Sequence, residues 1–328
     1  MNIVTLAGGV GGAKLAQGLA LTPALTPSPS PKLGEGGLTI IVNTGDDFEW
    51  HGLYVCPDLD TVTYTLGGLA NTVTGWGVAG DTFETLDALK RLGAEAWFNI
   101  GDRDLATHVY RTALLQQGKT LTEATQLMTR ALGIEATILP MTDDRFRTLV
   151  ETDQDVLEFQ EYFVRRQWQP IVKRIIFDGE ATARATPQVI EALHQADAII
   201  IAPSNPFVSV GPILALTPTP ALLRQDGGGS KGGGRPIAAV SPIVGGQAIK
   251  GPAAKMFREL GWEPSALAVA RHYQGLVTHF VLDQLDAAQE SAIQSLGMQT
   301  LVTNTIMQSV EDRARLASEV VEFVTREA

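Results

Sequence analysis

Residues 2–21 read NIVTLAGGVGGAKLAQGLAL, and this stretch decides the fold. Asn2 to Leu6 is a short, apolar, partly β-branched run, and Ala13 to Leu21 has the spacing of a helix. Between them stand Gly8, Gly9, Gly11 and Gly12. A strand feeding a glycine loop and then a helix is the opening of a nucleotide-binding α/β sheet. The spacing fits neither standard fingerprint. A P-loop needs glycine directly before lysine and a hydroxyl residue directly after it, but Ala13 separates Gly12 from Lys14 and Leu15 follows. The dinucleotide pattern fails because Lys14 stands where its third glycine belongs. The amides of Gly8 to Gly12, the helix dipole and Lys14 together suit a phosphate. The plain alternative is a tight turn with a solvent-facing lysine.

The next apolar run, Leu38 to Val42 (LTIIV), reads as a buried parallel strand and ends at Asn43-Thr44-Gly45-Asp46-Asp47. Ligands of open α/β sheets bind at the carboxyl ends of strands, so both loops are expected to face one crevice. Asp46, Asp47, Asp58 and Asp60 stand close together in sequence, and as a group of hard oxygen ligands they suit magnesium or calcium. Each alone reads as a cap or turn residue.

Ala198 to Ala202, Ile237 to Val240, Leu267 to Ala270 and Phe280 to Leu282 are further short buried runs of strand type. The expected fold is α/β, a Rossmann-like, doubly wound and mostly parallel sheet. Its core is expected over 1–60 and 187–328, with a mainly helical inserted region over 61–186 on the acceptor side of the site. In that region Leu105 to Gln117 and Leu121 to Leu132 read as helices and Ile171 to Phe177 as a strand. Thr22 to Gly37 and Asp226 to Gly234 are proline-, serine- and glycine-rich and read as surface insertions.

Other groups carry chemistry in outline. Trp76, between Gly75 and Gly77, either offers a ring to a planar ligand or marks a turn. GDRDLATHVYR brings Asp102, Arg103, Asp104, His108 and Arg111 into one short span, and a helix starting near Asp104 puts Asp104 and His108 on one face, where a salt-bridged cap and an acid–base histidine are both open readings. Ser204, Asn205 and Ser209 follow a strand end and suit hydrogen bonds to a base or ribose, and Lys250 sits in another glycine loop. The net charge of −11 and pI near 4.9 argue against a nucleic-acid partner. Cys56 is the only cysteine, which fits a reducing cytoplasm, and no run approaches the ~18 apolar residues of a membrane span.

In order, AGGVGGAKL, VNTGDDFEWHGLYVCPDLDTVTYTLGGL, GWGVAGDTF, GDRDLATHVYRT, LPMTDD, FQEYFV, APSNPFVSVGPIL and SPIVGGQAIKGPAAK cover most of the chain. These motifs resemble the 2-phospho-L-lactate transferase family of coenzyme F-420 biosynthesis. The resemblance implies transfer of a 2-phospholactyl or phosphoenolpyruvyl group from a GDP-activated donor to the ribityl hydroxyl of the deazaflavin Fo, with release of GMP. It implies a magnesium ion, a homodimer, and roles for Asp46, Asp47, Asp58 and Asp60 at metal and diphosphate. Gly8 to Gly12 and Lys14 are implied at the phosphates, and Ser204, Asn205 and Ser209 at guanosine. The rival reading is a nucleotide-sugar-binding regulatory protein with the same glycine loop, against which GWG and RDLATH count.

Overall fold

The computed structural model describes residues 1–22, 37–216, 218–219, 223 and 234–326. Nearly all of both expected insertions, 23–36 and 226–233, lies outside the described residues.

Seven strands form the central sheet in the order β14-β13-β10-β9-β1-β2-β5. In chain order these are β1 (Ile3–Ala7), β2 (Leu38–Val42), β5 (Thr137–Pro140), β9 (Ala198–Ile201), β10 (Ile237–Val240), β13 (His279–Asp283) and β14 (Gln299–Thr303). Every adjacent pair is parallel, which makes this a Rossmann-like α/β sheet. Its strands are apolar because both faces are covered, and successive residues serve opposite cores. Val4, Leu6, Ile41, Ile199 and Ile201 pack into one cluster. Ile3, Ala7, Ile40, Val42 and Ile200 pack into the other. Thr5 is the polar member of β1, and its buried hydroxyl donates to Ile200 O at 2.9 Å.

Helix α1 (Gly9–Ala20) covers the second face together with the C-terminal helix Val310–Thr325. They approach closely: a Cβ on Gly18 would overlap the carbonyl oxygen of Arg313. Helix α1 begins at Gly9, earlier than the expected Ala13, so most of the glycine loop is the first turn of a helix. Gly9 has φ +61, a left-handed value that glycine adopts without strain.

After β2 come the hairpin β3 (Phe48–Trp50) and β4 (Leu53–Val55), then α2 (Pro57–Leu66), α3 (Glu84–Arg91), α4 (Asp102–Gln116) and α5 (Leu121–Ala131). Helices α4 and α5 fall where the apolar spacing places them. The expectation of a mainly helical region over 61–186 is corrected in two respects. Strand β5 joins the central sheet beside β2. Strands β6 (Arg147–Thr152), β7 (Val156–Glu158) and β8 (Val172–Asp178) form an antiparallel sheet of their own. Strand β8 falls where Ile171 to Phe177 reads as a strand, whereas β5, four residues long, and β6, with Arg147 and Glu151 near its ends, were illegible locally. Leu267 to Ala270 is helical, within Ala266–His272. Four apolar residues fit strand and helix alike. The Ser265 hydroxyl decides, accepting the Ala268 N–H at 3.0 Å as an N-cap. Beyond β10 a short hairpin, β11 (Ile243–Val244) and β12 (Gln247–Ala248), leads towards Lys250. Among the described residues no helix is long and apolar enough to cross a membrane.

Candidate functional site

Strand order reverses between β1 and β9, and in an open α/β sheet the carboxyl ends of the strands at such a point form the binding crevice. Three segments meet at it: Gly8 to Gly12, the loop Asn43 to Asp47 with the start of α2, and Pro203 to Ser209. The glycines are the joint between them. A Cβ on Gly8 would overlap Asp58, one on Gly11 would overlap Pro203 O, and one on Gly12 would come within 2.7 Å of Ser204 Oγ. Ser204 closes this seam, its hydroxyl donating to Gly8 O at 2.8 Å and accepting from Gly8 N at 3.2 Å. Gly9 alone is uncrowded, a Cβ there meeting only Asp58 Oδ1 at 3.8 Å. Close packing thus explains three glycines that sequence reasoning linked to phosphate.

The four aspartates are all buried, and the fold divides them into two pairs. Asp46 and Asp58 form the first. Asn43 Nδ2 donates to Asp46 Oδ1 at 3.2 Å and to Asp58 Oδ2 at 2.9 Å, and its own Oδ1 accepts from Gly45 N at 2.8 Å. Gln160 Nε2 reaches Asp46 Oδ2 at 3.0 Å, and the Gly9 N–H reaches Asp58 Oδ1 at 2.6 Å. All of these donors are neutral. Burial pushes the Asp46 carboxyl well above the ordinary range, and the Asp58 and Asp47 charges push the same way. Burial raises Asp58 to about 6 despite the Asn43 and Gly9 bonds.

Asp47 and Asp60 form the second pair, on the side of the arginines. Asp60 is held by both terminal nitrogens of Arg111, which is itself 2% exposed. Burial works against the Arg111 charge, and Asp60 more than offsets it, raising its pKa. His108 lies between Asp60 and Asp104, with Nδ1 3.6 Å from Asp60 Oδ2 and Nε2 3.2 Å from Asp104 Oδ1. Tyr64 OH donates to Asp104 Oδ1 at 2.7 Å. This network braces α4 against α2, and His108, 1% exposed, is enclosed by it. Asp47 has two buried carboxylate oxygens without a hydrogen-bond partner of good geometry. Burial raises it to about 7, offset by Arg147 and by the Cys56 thiol beside it.

These surroundings test each pair as a cation site. Asp60, Asp104 and His108 offer ligand atoms within 4.8 Å of one another, but the Arg111 guanidinium already supplies their positive charge. Asp46 and Asp58 bring together two carboxylates whose hydrogen-bond donors are all neutral, the Arg147 charge acting on Asp46 only from outside those bonds. An all-oxygen pair in that condition fits magnesium.

The remaining predicted residues distribute unevenly. Trp76 is 43% exposed, in a loop where Gly75 and Gly77 take φ +81 and +72. Lys250 Nζ donates to Thr74 O at 3.0 Å, and Gly75 faces the Val10 methyls, so this loop is pinned beside the start of α1. Arg103 Nη1 donates to Ala79 O at 3.1 Å on the same loop. Lys14 turns the other way, its Nζ donating to Met307 O at 2.7 Å. Burial, then Arg313 and Lys250, lower its pKa. Asn205 Oδ1 accepts from Phe207 N at 3.0 Å and its amide donates to Met256 Sδ at 3.4 Å, so its polar atoms serve its own loop. Ser209 is buried against Gly8. Asn43, Gln160 and Arg147 were missed. Asn43 reads as a turn residue after a strand, and nothing local marks Gln160 or Arg147 as neighbours of Asp46 and Asp47.

Comparison with known proteins points to one family. The family model of the 2-phospho-L-lactate transferase CofD matches residues 3–325. A 2-phospho-L-lactate transferase of Methanosarcina mazei is 36% identical over 301 residues, covering 92% of this chain and 96% of the relative. A phosphoenolpyruvate transferase of Streptomyces griseus is 38% identical over 329 residues, covering 98% of each. A solved Bacillus halodurans protein of the UPF0052 family has the same fold, with a TM-score of 0.61 at 15% identity over 98% of this chain and 99% of that one. The chain belongs to the 2-phospho-L-lactate transferase family, transferases of phosphate-containing groups.

Proposed function

We propose that the crevice transfers a 2-phospholactyl or phosphoenolpyruvyl group from a GDP-activated donor to the ribityl hydroxyl of Fo, releasing GMP. The observation that carries this reading is the Asp46 and Asp58 pair, two buried carboxylates with neutral donors only, beside the N-terminus of α1. Asp46 and Asp58 would hold a magnesium ion. When bound, it supplies charge neutralisation at the diphosphate. Transfer from a diphosphate to an alcohol asks the protein chiefly for positioning and electrostatics. The start of α1 and Lys250 attract the anionic donor, and Lys14, tied to Met307 O but close enough to feel the Lys250 charge, adds to the positive field. Asp47 is assigned as acceptor of the hydroxyl proton, because no nitrogen or oxygen donor holds it beyond the Cys56 thiol and burial raises its pKa to about 7, near the working pH. Trp76, exposed and pinned near Val10, is assigned to the deazaflavin ring, with Arg103 bracing its loop. His108 acts at a distance by bracing α4. The family resemblance favours a homodimer, and the single cysteine, Cys56, suits a reducing cytoplasm.

The test is mass spectrometry of the product formed from Fo and each of the two guanylylated donors. A product of either mass together with GMP is expected, the two differing by two hydrogens. No GMP and no Fo-derived product with either donor would overturn the reading.

A further inference from the structure

Asp58 serves two neighbours at once. Its Oδ1 accepts the N–H of Gly9, the first residue of α1, and its Oδ2 accepts from Asn43. The Gly9 N–H is one of those at a helix start that have no partner inside the helix, the place where dipole and free N–H groups favour an anion. Lys250 marks the same place independently, since its ammonium lies against Gly75, whose next neighbours are the methyls of Val10 in the first turn of α1. The anion found at this helix start is the protein's own carboxylate. Gly9 is only part-buried, whereas Gly8 before it is buried, so an incoming group can approach the Gly9 N–H.

Resting on the reading that a diphosphate binds at α1, we infer that Asp58 is a built-in competitor for that diphosphate and makes its binding depend on the cation. A phosphate oxygen gains the Gly9 N–H when Asp58 releases it, and Asp58 releases it when its carboxylate turns to a cation shared with Asp46. The turn is short, because Asn43 Nδ2 already touches both carboxylates and keeps its bond to Asp58 as the two converge. Asp58 therefore sets the order of ligands, cation before diphosphate.

The test is calorimetric titration with inorganic pyrophosphate in the presence of chelator. Asp58→Ala should bind pyrophosphate about tenfold more tightly than the wild type, the equivalent of one charge-assisted hydrogen bond regained. Asp58→Asn should gain clearly less, because its side-chain oxygen still accepts the Gly9 N–H. Asp46→Asn, which removes the same charge without touching Gly9, should also gain less. In the wild type, magnesium alone should move the Gly9 amide resonance, and in Asp58→Ala it should not. Equal gains in Asp58→Ala and Asp58→Asn would reduce the effect to charge and overturn the proposal. So would a folded Asp58→Ala with no gain, or a wild-type Gly9 resonance indifferent to magnesium. Should Asp58→Ala fail to fold, Asp58→Asn and the wild-type resonance carry the decision. GMP release is measured separately: its absence with the pyrophosphate pattern intact removes the transferase reading alone.

Discussion

Asp58 and Asp60 stand two residues apart on α2 and meet opposite surroundings. Asp58 faces the crevice, where only amides bond it and its pKa is raised by burial. Asp60 faces α4, where Arg111 grips it with two nitrogens. The same chemical group is thus an unsatisfied charge on one face of a helix and half of a buried ion pair on the other. Burial without a counter-charge leaves a carboxylate ready for a cation. Burial with one fastens two helices together. The Asp46 and Asp58 side should therefore control turnover and the Asp47 and Asp60 side mainly stability, with Asp47 as the member that also touches the chemistry.

The largest expected effect breaks the structural side. Arg111→Ala leaves Asp60 buried and unpaired, and it should cost about 3–5 kcal/mol in denaturant unfolding. Turnover per folded molecule should stay within a few-fold. The double change Asp60→Leu with Arg111→Met should recover most of the stability, since apolar replacement of both partners removes the stranded charge. A fall in turnover as large as the fall in stability would erase the contrast between the faces.

On the crevice side, Asp46→Asn keeps the size of the side chain and removes its charge. Turnover should fall by roughly 10²–10³-fold, and the magnesium concentration for half-maximal rate should rise, while the unfolding free energy stays level or increases. Unchanged magnesium dependence would remove Asp46 from the cation site.

A smaller effect sharpens the comparison through pH. Burial raises Asp46, Asp47 and Asp58, the last two to about 7 and about 6, so the folded chain holds their protons more tightly than the unfolded chain. Their stabilising contribution is fully present below the ordinary carboxylate pKa of about 4 and is lost as pH rises through the folded values. In chelator the wild-type Tm should therefore fall more between pH 5 and pH 7.5 than that of Asp58→Asn, by about a few degrees. Magnesium should raise Tm more at the higher pH. A parallel pair of Tm–pH curves would show that the raised pKa values do not belong to this pair.

The smallest effect concerns the rim. Trp76→Ala should weaken Fo binding by roughly 1–3 kcal/mol, the range for stacking on a planar base, and leave GDP binding nearly unchanged. Equal losses for both ligands would make Trp76 a support of the loop rather than a ring for the acceptor.

The sequence by itself determined five of the seven strands of the sheet and its opening, but not the edge strands β5 and β14. β1, β2, β9, β10 and β13 are continuous apolar runs with glycine, proline or aspartate nearby, and such patterns are local, so they survive reading without a structure. Helices α4 and α5 were legible for the same reason, their apolar spacing being a property of a dozen neighbouring residues. The four aspartates were visible as a group, but their division was not. Two positions along a helix turn a side chain by about 200°, so Asp58 and Asp60 part company only once α2 exists. Arg111 and Arg147 reach Asp60 and Asp47 from elements far along the chain, and Gln160 reaches Asp46 across a still longer separation. The glycines show the same limit from the other side. Their number was plain in the sequence, but the reason for three of them is the close approach of Asp58, Pro203 and Ser204, which only the packing of three distant segments creates.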